Sequence, residues 1–130
     1  MSLGDFQGRK LLLYFYPKDD TPGCTTEACQ FRDTGQQFGQ HGVAVVGVSA
    51  DDGESHRRFR AKYSLDFPLL SDAGGEVAKA YDAWGEKTWG TQTFTGVLRS
   101  TFLIDEQGRI EQAWYDVSPD GHPEAILSGL

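Results

Sequence analysis

The chain has little of what most function classes require. Its 130 residues include only two cysteines, Cys24 and Cys29, and no apolar run approaching the roughly 20 residues that span a bilayer. Two cysteines are too few for a disulfide scaffold. Basic charge is also scarce. Twelve Lys and Arg against 19 Asp and Glu leave a formal net charge of -7, which disfavours nucleic acid or an anionic membrane as the main partner. The beginning of the chain shows no charged-then-apolar signal pattern, so secretion is unsupported and a cytoplasmic location is expected. There is no Cys-x-x-Cys, GxGxxG, P-loop or GxSxG. His41, His56 and His122 lie scattered, without metal-ligand spacing to one another or to the cysteines. No repeat, linker or low-complexity segment divides the chain. With 38% hydrophobic and 24% charged residues, residues 1–130 read as one globular domain.

What is present alternates in period. Lys10 to Tyr16 (KLLLYFY) is a continuous apolar run, the mark of a buried and parallel strand. Thr21 to about Phe38 reads as a helix, with Thr at the N-cap and Pro at the first helical position. Val43 to Ser49 is a second β-branched strand, Asp51 to Tyr63 a polar amphipathic helix, and Phe67 to Leu70 a short third strand. A brief helix from Glu76 to Tyr81 follows. Asp82 to Leu98 reads as a long loop bearing Trp84, Trp89 and Phe94. Arg99–Ile104 and Ile110–Tyr115 form a closing hairpin, and Pro123 to Leu127 starts a last helix. The order β-α-β-α-β-α-β-β-α implies a largely parallel sheet with an antiparallel edge, flanked by helices.

Cys24 falls at the start of the first long helix. There the first-turn N–H groups lack helical partners and the macrodipole favours negative charge, conditions under which a thiol becomes a thiolate near neutral pH. On a helical wheel Ala28, Phe31, Gly35 and Phe38 lie within about 40° of Cys24, whereas Cys29 lies about 140° away. Helix geometry puts the two Cα atoms about 8.6 Å apart, and a disulfide wants about 4.4 to 6.8 Å. The two cysteines therefore pair only if the helix partly unwinds.

Each candidate also has a plainer reading. Taken singly, Cys24 reads equally as a buried inert thiol and Cys29 as a residue of the helix flank. Thr21 is a good N-cap whose hydroxyl would accept from the N–H of Gly23 or Cys24 while keeping its proton for a thiolate or a substrate oxygen. Pro17 is a strand terminator or a shield for a thiolate. Arg99 is either a solvated strand edge or a fixed positive charge that lowers a thiol's pKa and holds a polar oxygen.

Together these residues resemble a known family. Pro17, Thr21 and Cys24 reproduce the Pro-x-x-x-Thr-x-x-Cys motif of peroxiredoxins. The string YFYPKDDTPGCTTEACQFRD, with GVSAD at Gly47, FPLLSD at Phe67, YDAWGEK at Tyr81 and LRSTFLIDEQGRI at Leu98, is similar to the Q-type (bacterioferritin comigratory protein) subgroup. The resemblance implies a thioredoxin-like fold and a thiol-dependent peroxidase that uses neither metal nor haem. It implies Cys24 as the peroxidatic cysteine, with Thr21, Pro17 and Arg99 completing its pocket and Cys29 as resolving cysteine. It also implies hydrogen peroxide or an organic hydroperoxide as substrate, thioredoxin or glutaredoxin as reductant, and a monomer or weak dimer. A redox relay that passes oxidation to a partner protein would use the same residues. Members usually carry an N-terminal hairpin with a Gly…Ala-Pro-x-Phe pattern before the first core strand, and that pattern is missing here.

Overall fold

The computed structural model describes residues 3–6, 8–89, 91–115 and 117–130. The described residues begin with a 3-10 turn at Leu3–Phe6 and include seven strands and four helices. β1 (Lys10–Phe15), β2 (Val43–Ser49), β3 (Leu69–Ser71), β6 (Ser100–Ile104) and β7 (Ile110–Trp114) form one sheet in the order β3-β2-β1-β6-β7. β1, β2 and β3 are parallel, and β6 and β7 join antiparallel. The central position of β1 explains its apolar run, since a strand paired on both edges and covered on both faces has no polar side to show.

Strand alternation divides β1 between two packed faces. Leu12, Tyr14 and Tyr16 point towards α1 (Pro22–Gln40), α2 (Gly53–Tyr63) and α4 (His122–Ser128). There they pack with Cys24, Ala28, Phe31, Phe38, Phe59 and Ile126. Leu11, Leu13 and Phe15 point the other way, onto Val46, Val48, Phe102 and the Ala78 face of α3 (Glu76–Ala80). Gly47 keeps the first face open at one point: a Cβ there would lie 2.8 Å from Leu69 Cδ2 and 2.9 Å from Tyr14 Cζ. The Tyr14 ring occupies that space and stacks on Phe31 at 4.5 Å between centroids.

Three expectations need correction. Asp82–Leu98 is not a loop: Trp84–Trp89 (β4) and Gln92–Val97 (β5) pair antiparallel as a separate two-stranded sheet. Its strands (WGEKTW and QTFTGV) stand off the main sheet and need no continuous apolar run, so they carry no strong periodic signal. Trp84 packs against the second core face, while the side chains of Trp89 and Phe94 lie outside the described residues. The third strand starts later than expected, at Leu69. The second helix begins at Gly53, because Asp52 takes the N-cap and accepts from Ser55 N–H at 2.8 Å.

Candidate active site

The site forms where β1 ends, the carboxyl edge at which open α/β sheets place their ligands. The chain leaves β1 at Phe15, turns through Pro17–Asp20 and enters α1 at Pro22. Asp20 takes φ 57, a left-handed conformation that Asp tolerates better than most side chains. Its carboxylate accepts from Lys62 Nζ and Tyr63 Oη, both at 2.8 Å, so the end of α2 holds this turn in place.

Cys24 sits in the first turn of α1 at 2% exposure. The same helical face buries Ala28, Phe31 and Phe38, as the wheel requires. Arg99 reaches the cysteine from far along the chain. Ser100 pairs with Phe15 across β1 and β6, which places Arg99 level with Tyr16. Its Nη2 donates to Cys24 Sγ at 3.3 Å, and its Nη1 donates to Glu27 Oε1 at 2.6 Å. Only 13% of the Arg99 side chain is exposed, so the solvated-edge reading of this residue is corrected. Gly23 lets the guanidinium lie over the helix start: a Cβ there would come within 3.2 Å of Nη2 and 3.3 Å of Pro119 Cγ.

Glu27 is the residue that the sequence reading missed. It is fully buried, and its Oε2 has no hydrogen-bond partner among the described residues. Burial, only partly opposed by the Arg99 charge and hydrogen bond, pushes its carboxyl up to about 7. Burial also works against the Arg99 charge, but Glu27 and Cys24 outweigh it and raise the pKa of Arg99. His122 lies behind this group, with Nε2 2.9 Å from Thr101 Oγ1. Burial, helped by the Arg99 charge, lowers His122 to about 4, so its ring is neutral at pH 7.

Two other candidates stand differently from expectation. Thr21 holds the N-cap position with φ -97 and ψ 157, but its side chain makes no cap hydrogen bond. Its hydroxyl instead donates to the Lys18 carbonyl at 2.9 Å and braces the turn. Cys29 is half-buried within the same unbroken helix, and both cysteines are free. Pro17 is half-buried at the start of the turn. Among the described residues no three His, Cys, Asp or Glu are grouped to hold a metal ion. No described helix is long and apolar enough to cross a membrane.

A mixed sheet with flanking helices, and a cysteine at a helix start under a buried guanidinium, define the thioredoxin-like peroxidases that work through a thiol. Comparison with known proteins agrees. Residues 1–113 match the AhpC/TSA family. The chain is 43% identical to peroxiredoxin Bcp of Bacillus subtilis and 42% identical to that of Escherichia coli K12. Each match covers all of this chain and 83% of the relative. Among solved structures, the Xanthomonas campestris bacterioferritin comigratory protein, studied for alkyl peroxide reduction, superposes with a TM-score of 0.93 at 40% identity. That match covers 99% of this chain and 82% of the other. Peroxiredoxin Q of Xylella fastidiosa, as a cysteine-to-serine mutant, gives 0.93 at 43% identity over 99% of this chain and 80% of its own. The chain therefore belongs to the AhpC/TSA family, within its Bcp/Q-type peroxiredoxins, and is a thiol-dependent peroxidase.

Proposed function

We propose that Cys24 is the peroxidatic residue of a cycle that reduces hydrogen peroxide and organic hydroperoxides, and that Cys29 resolves it. The observation that carries this reading is the Arg99 fork, one nitrogen on Cys24 Sγ and the other fixed by a buried carboxylate. A guanidinium so held favours an anionic sulfur and offers its remaining N–H donors to a peroxide oxygen. The sulfur attacks the distal oxygen, the O–O bond breaks, and the departing alkoxide or hydroxide takes up a proton. Cys24 is left as sulfenic acid. Donors aimed at the developing negative charge lower the barrier. The Thr21 hydroxyl, engaged on Lys18 O in this state, supplies one such donor by rotating towards substrate, and Pro17 limits water access to the sulfur.

Resolution follows from the helix. The Cys29 thiol displaces hydroxide from the sulfenic sulfur, giving water and a disulfide, once the first turns of α1 unwind. A dithiol partner, thioredoxin or glutaredoxin, then reduces the disulfide by exchange. Two unpaired cysteines suit a reducing compartment, so we place the protein in the cytoplasm. It acts there as one domain over residues 1–130, as a monomer or weak dimer.

The test is a coupled assay with thioredoxin, its reductase and several hydroperoxides. Wild type should turn over and Cys24→Ser should not; full activity in Cys24→Ser would sink the proposal. Mass spectrometry after one equivalent of peroxide should show an intramolecular Cys24–Cys29 bond. A persistent sulfenic acid would mean a cycle that runs on Cys24 alone.

A further inference from the structure

A second buried network lies beside the catalytic turn, and the peroxide chemistry does not use it. Asp19, in the turn that precedes α1, is 7% exposed, and His56, in the first turns of α2, is 3% exposed. The Asp19 carboxylate accepts from Tyr16 Oη at 2.5 Å on one oxygen. On the other it meets Ser55 Oγ at 2.8 Å and His56 Nδ1 at 2.7 Å. The opposite ring nitrogen, His56 Nε2, lies 3.1 Å from the Leu70 carbonyl at β3.

Hydrogen-bond inventory then determines the state of the ring. A carbonyl oxygen only accepts, and so does an ionised carboxylate. A neutral imidazole has one N–H and one lone pair, so in either tautomer it would direct a lone pair at an acceptor. With Asp19 ionised, as the Tyr16 and Ser55 hydroxyls that donate to it favour, only the doubly protonated ring satisfies both contacts.

We infer that His56 is held as an imidazolium and is a positioning residue for the turn carrying Pro17 and Thr21 into Cys24, so that loss of its proton loosens that turn. The catalytic consequence rests on the function proposed above; the charge state of the ring does not. The charged groups facing the ring are Asp19 from the turn and, further off, Asp51 from the segment between β2 and α2. Asp51 adds a third tie, since its Oδ2 accepts from Asp19 N–H at 2.8 Å and from Ser49 Oγ at 2.6 Å. His56 thus joins three parts of the fold: the turn, α2 and β3.

The electrostatics agree in direction. Burial works against the charged ring, but the Asp19 hydrogen bond and charge and the Leu70 carbonyl outweigh it, and the His56 pKa is raised above 6.5. Burial likewise works against the Asp19 charge, but its hydrogen bonds from His56, Tyr16 and Ser55 outweigh it and lower its pKa. A raised histidine stabilises the fold in full below pH 6.5, and that contribution is lost as pH rises through the folded value. The turn is therefore clamped below the folded midpoint of the ring and released above it, at a higher pH than free histidine would give.

The test uses the reduced full chain with 15N-labelled histidine. Two-bond proton–nitrogen spectra should show both His56 nitrogens protonated at pH 7, with a single deprotonation above the range of free histidine. The protection of the Asp19 amide against exchange, corrected for base catalysis, should fall about tenfold through that same midpoint. Asp19→Asn should bring the His56 midpoint down to or below that of free histidine. A neutral ring at pH 7 would overturn the inference, as would Asp19 protection that ignores the ring's titration. Cys24 oxidation by hydrogen peroxide, followed separately in wild type and His56→Gln, tests the catalytic consequence. Wild type should show an alkaline limb at the ring's midpoint that His56→Gln lacks, and an identical limb in both would overturn the positioning role. If Cys24 does not react with peroxide at all while the ring and amide behave as described, the peroxidatic role fails and the clamp stands.

Discussion

Replacing Glu27 with glutamine tests whether a buried carboxylate really sets the Arg99–Cys24 contact. Glutamine keeps the length of the side chain and an oxygen to accept from Arg99 Nη1, but it cannot ionise. In wild type the Glu27 carboxyl moves from 4.5 in the reference state to about 7 in the fold. Each unit of that difference corresponds to about 1.4 kcal/mol, so ionising Glu27 in the folded protein costs about 3 kcal/mol. The sign follows from proton binding. Between pH 4.5 and 7 the folded chain holds a proton that the unfolded chain has released. Stability present below pH 4.5 is therefore lost progressively as pH rises through 7.

Urea unfolding of both proteins at half-unit steps from pH 5 to 9 reads this directly, provided the m-value stays constant. The pH-independent difference between them is only that between a neutral carboxyl and an amide beside Arg99, because the attraction of Arg99 for the ionised carboxylate is already part of the Glu27 pKa. In the pH-dependent part, wild type should lose about 3 kcal/mol relative to Glu27→Gln between pH 5 and 9. Parallel stability curves would refute the reasoning, because Glu27 would then ionise alike in both states.

Three further outcomes rest on the packing and contacts around Cys24 and β2. Arg99→Ala removes a charge-assisted hydrogen bond of about 1.5–3 kcal/mol, so the rate constant for Cys24 with hydrogen peroxide should fall roughly ten- to a hundredfold by stopped flow. Cys29→Ser should leave that first step within about twofold, because Cys29 lies away from the sulfur's face, but sulfenic acid should persist and be trapped by dimedone. Gly47→Ala drives a Cβ to 2.8 Å from Leu69 Cδ2 and 2.9 Å from Tyr14 Oη. Overpacking of this kind should cost about 1–3 kcal/mol in urea unfolding while leaving the Cys24 reaction intact.

The parts of the fold legible in the sequence were those whose side chains repeat with a period. β1, β2 and α1 bury whole faces, and their apolar spacing places them within a residue or two. β4 and β5 escaped because a two-stranded ribbon off the main sheet alternates weakly and carries Gly85 and Gly96. At the site, Cys24 and Arg99 were legible from helix position and motif. The Thr21 hydroxyl departs from the expected cap because the rotamer that donates to the Lys18 carbonyl turns its oxygen away from the first-turn N–H groups. Glu27 stands about 60° from Cys24 on the wheel, just beyond the sector of Ala28, Phe31, Gly35 and Phe38, and a glutamate in a helix reads as surface. The cue was positional: a carboxylate one turn after Cys24 shares its edge of the helix and meets any cation that approaches the sulfur.

Asp19 and Glu27 bracket Cys24 in sequence, both buried, yet their environments push them in opposite directions. Asp19 receives three side-chain donors, from Tyr16, Ser55 and His56, and its pKa is lowered despite burial. Among the described residues Glu27 receives one, from Arg99, its other oxygen has no partner, and it rises to about 7. Burial opposes ionisation in both, so the number and placement of donors decides between them. Two roles follow from that count. A carboxylate ionised throughout the neutral range suits a fixed anchor, and Asp19 holds the turn. A carboxylate poised near pH 7 changes its grip on Arg99 as conditions change, and Glu27 holds the cation that faces the sulfur. That count is testable at Asp19, where Tyr16→Phe and Ser55→Ala each remove one of its donors. Each loss should raise the Asp19 midpoint, read by carboxyl 13C shifts, because burial is then less well opposed. An Asp19 midpoint unchanged by both substitutions would refute the control of these carboxylates by their donors.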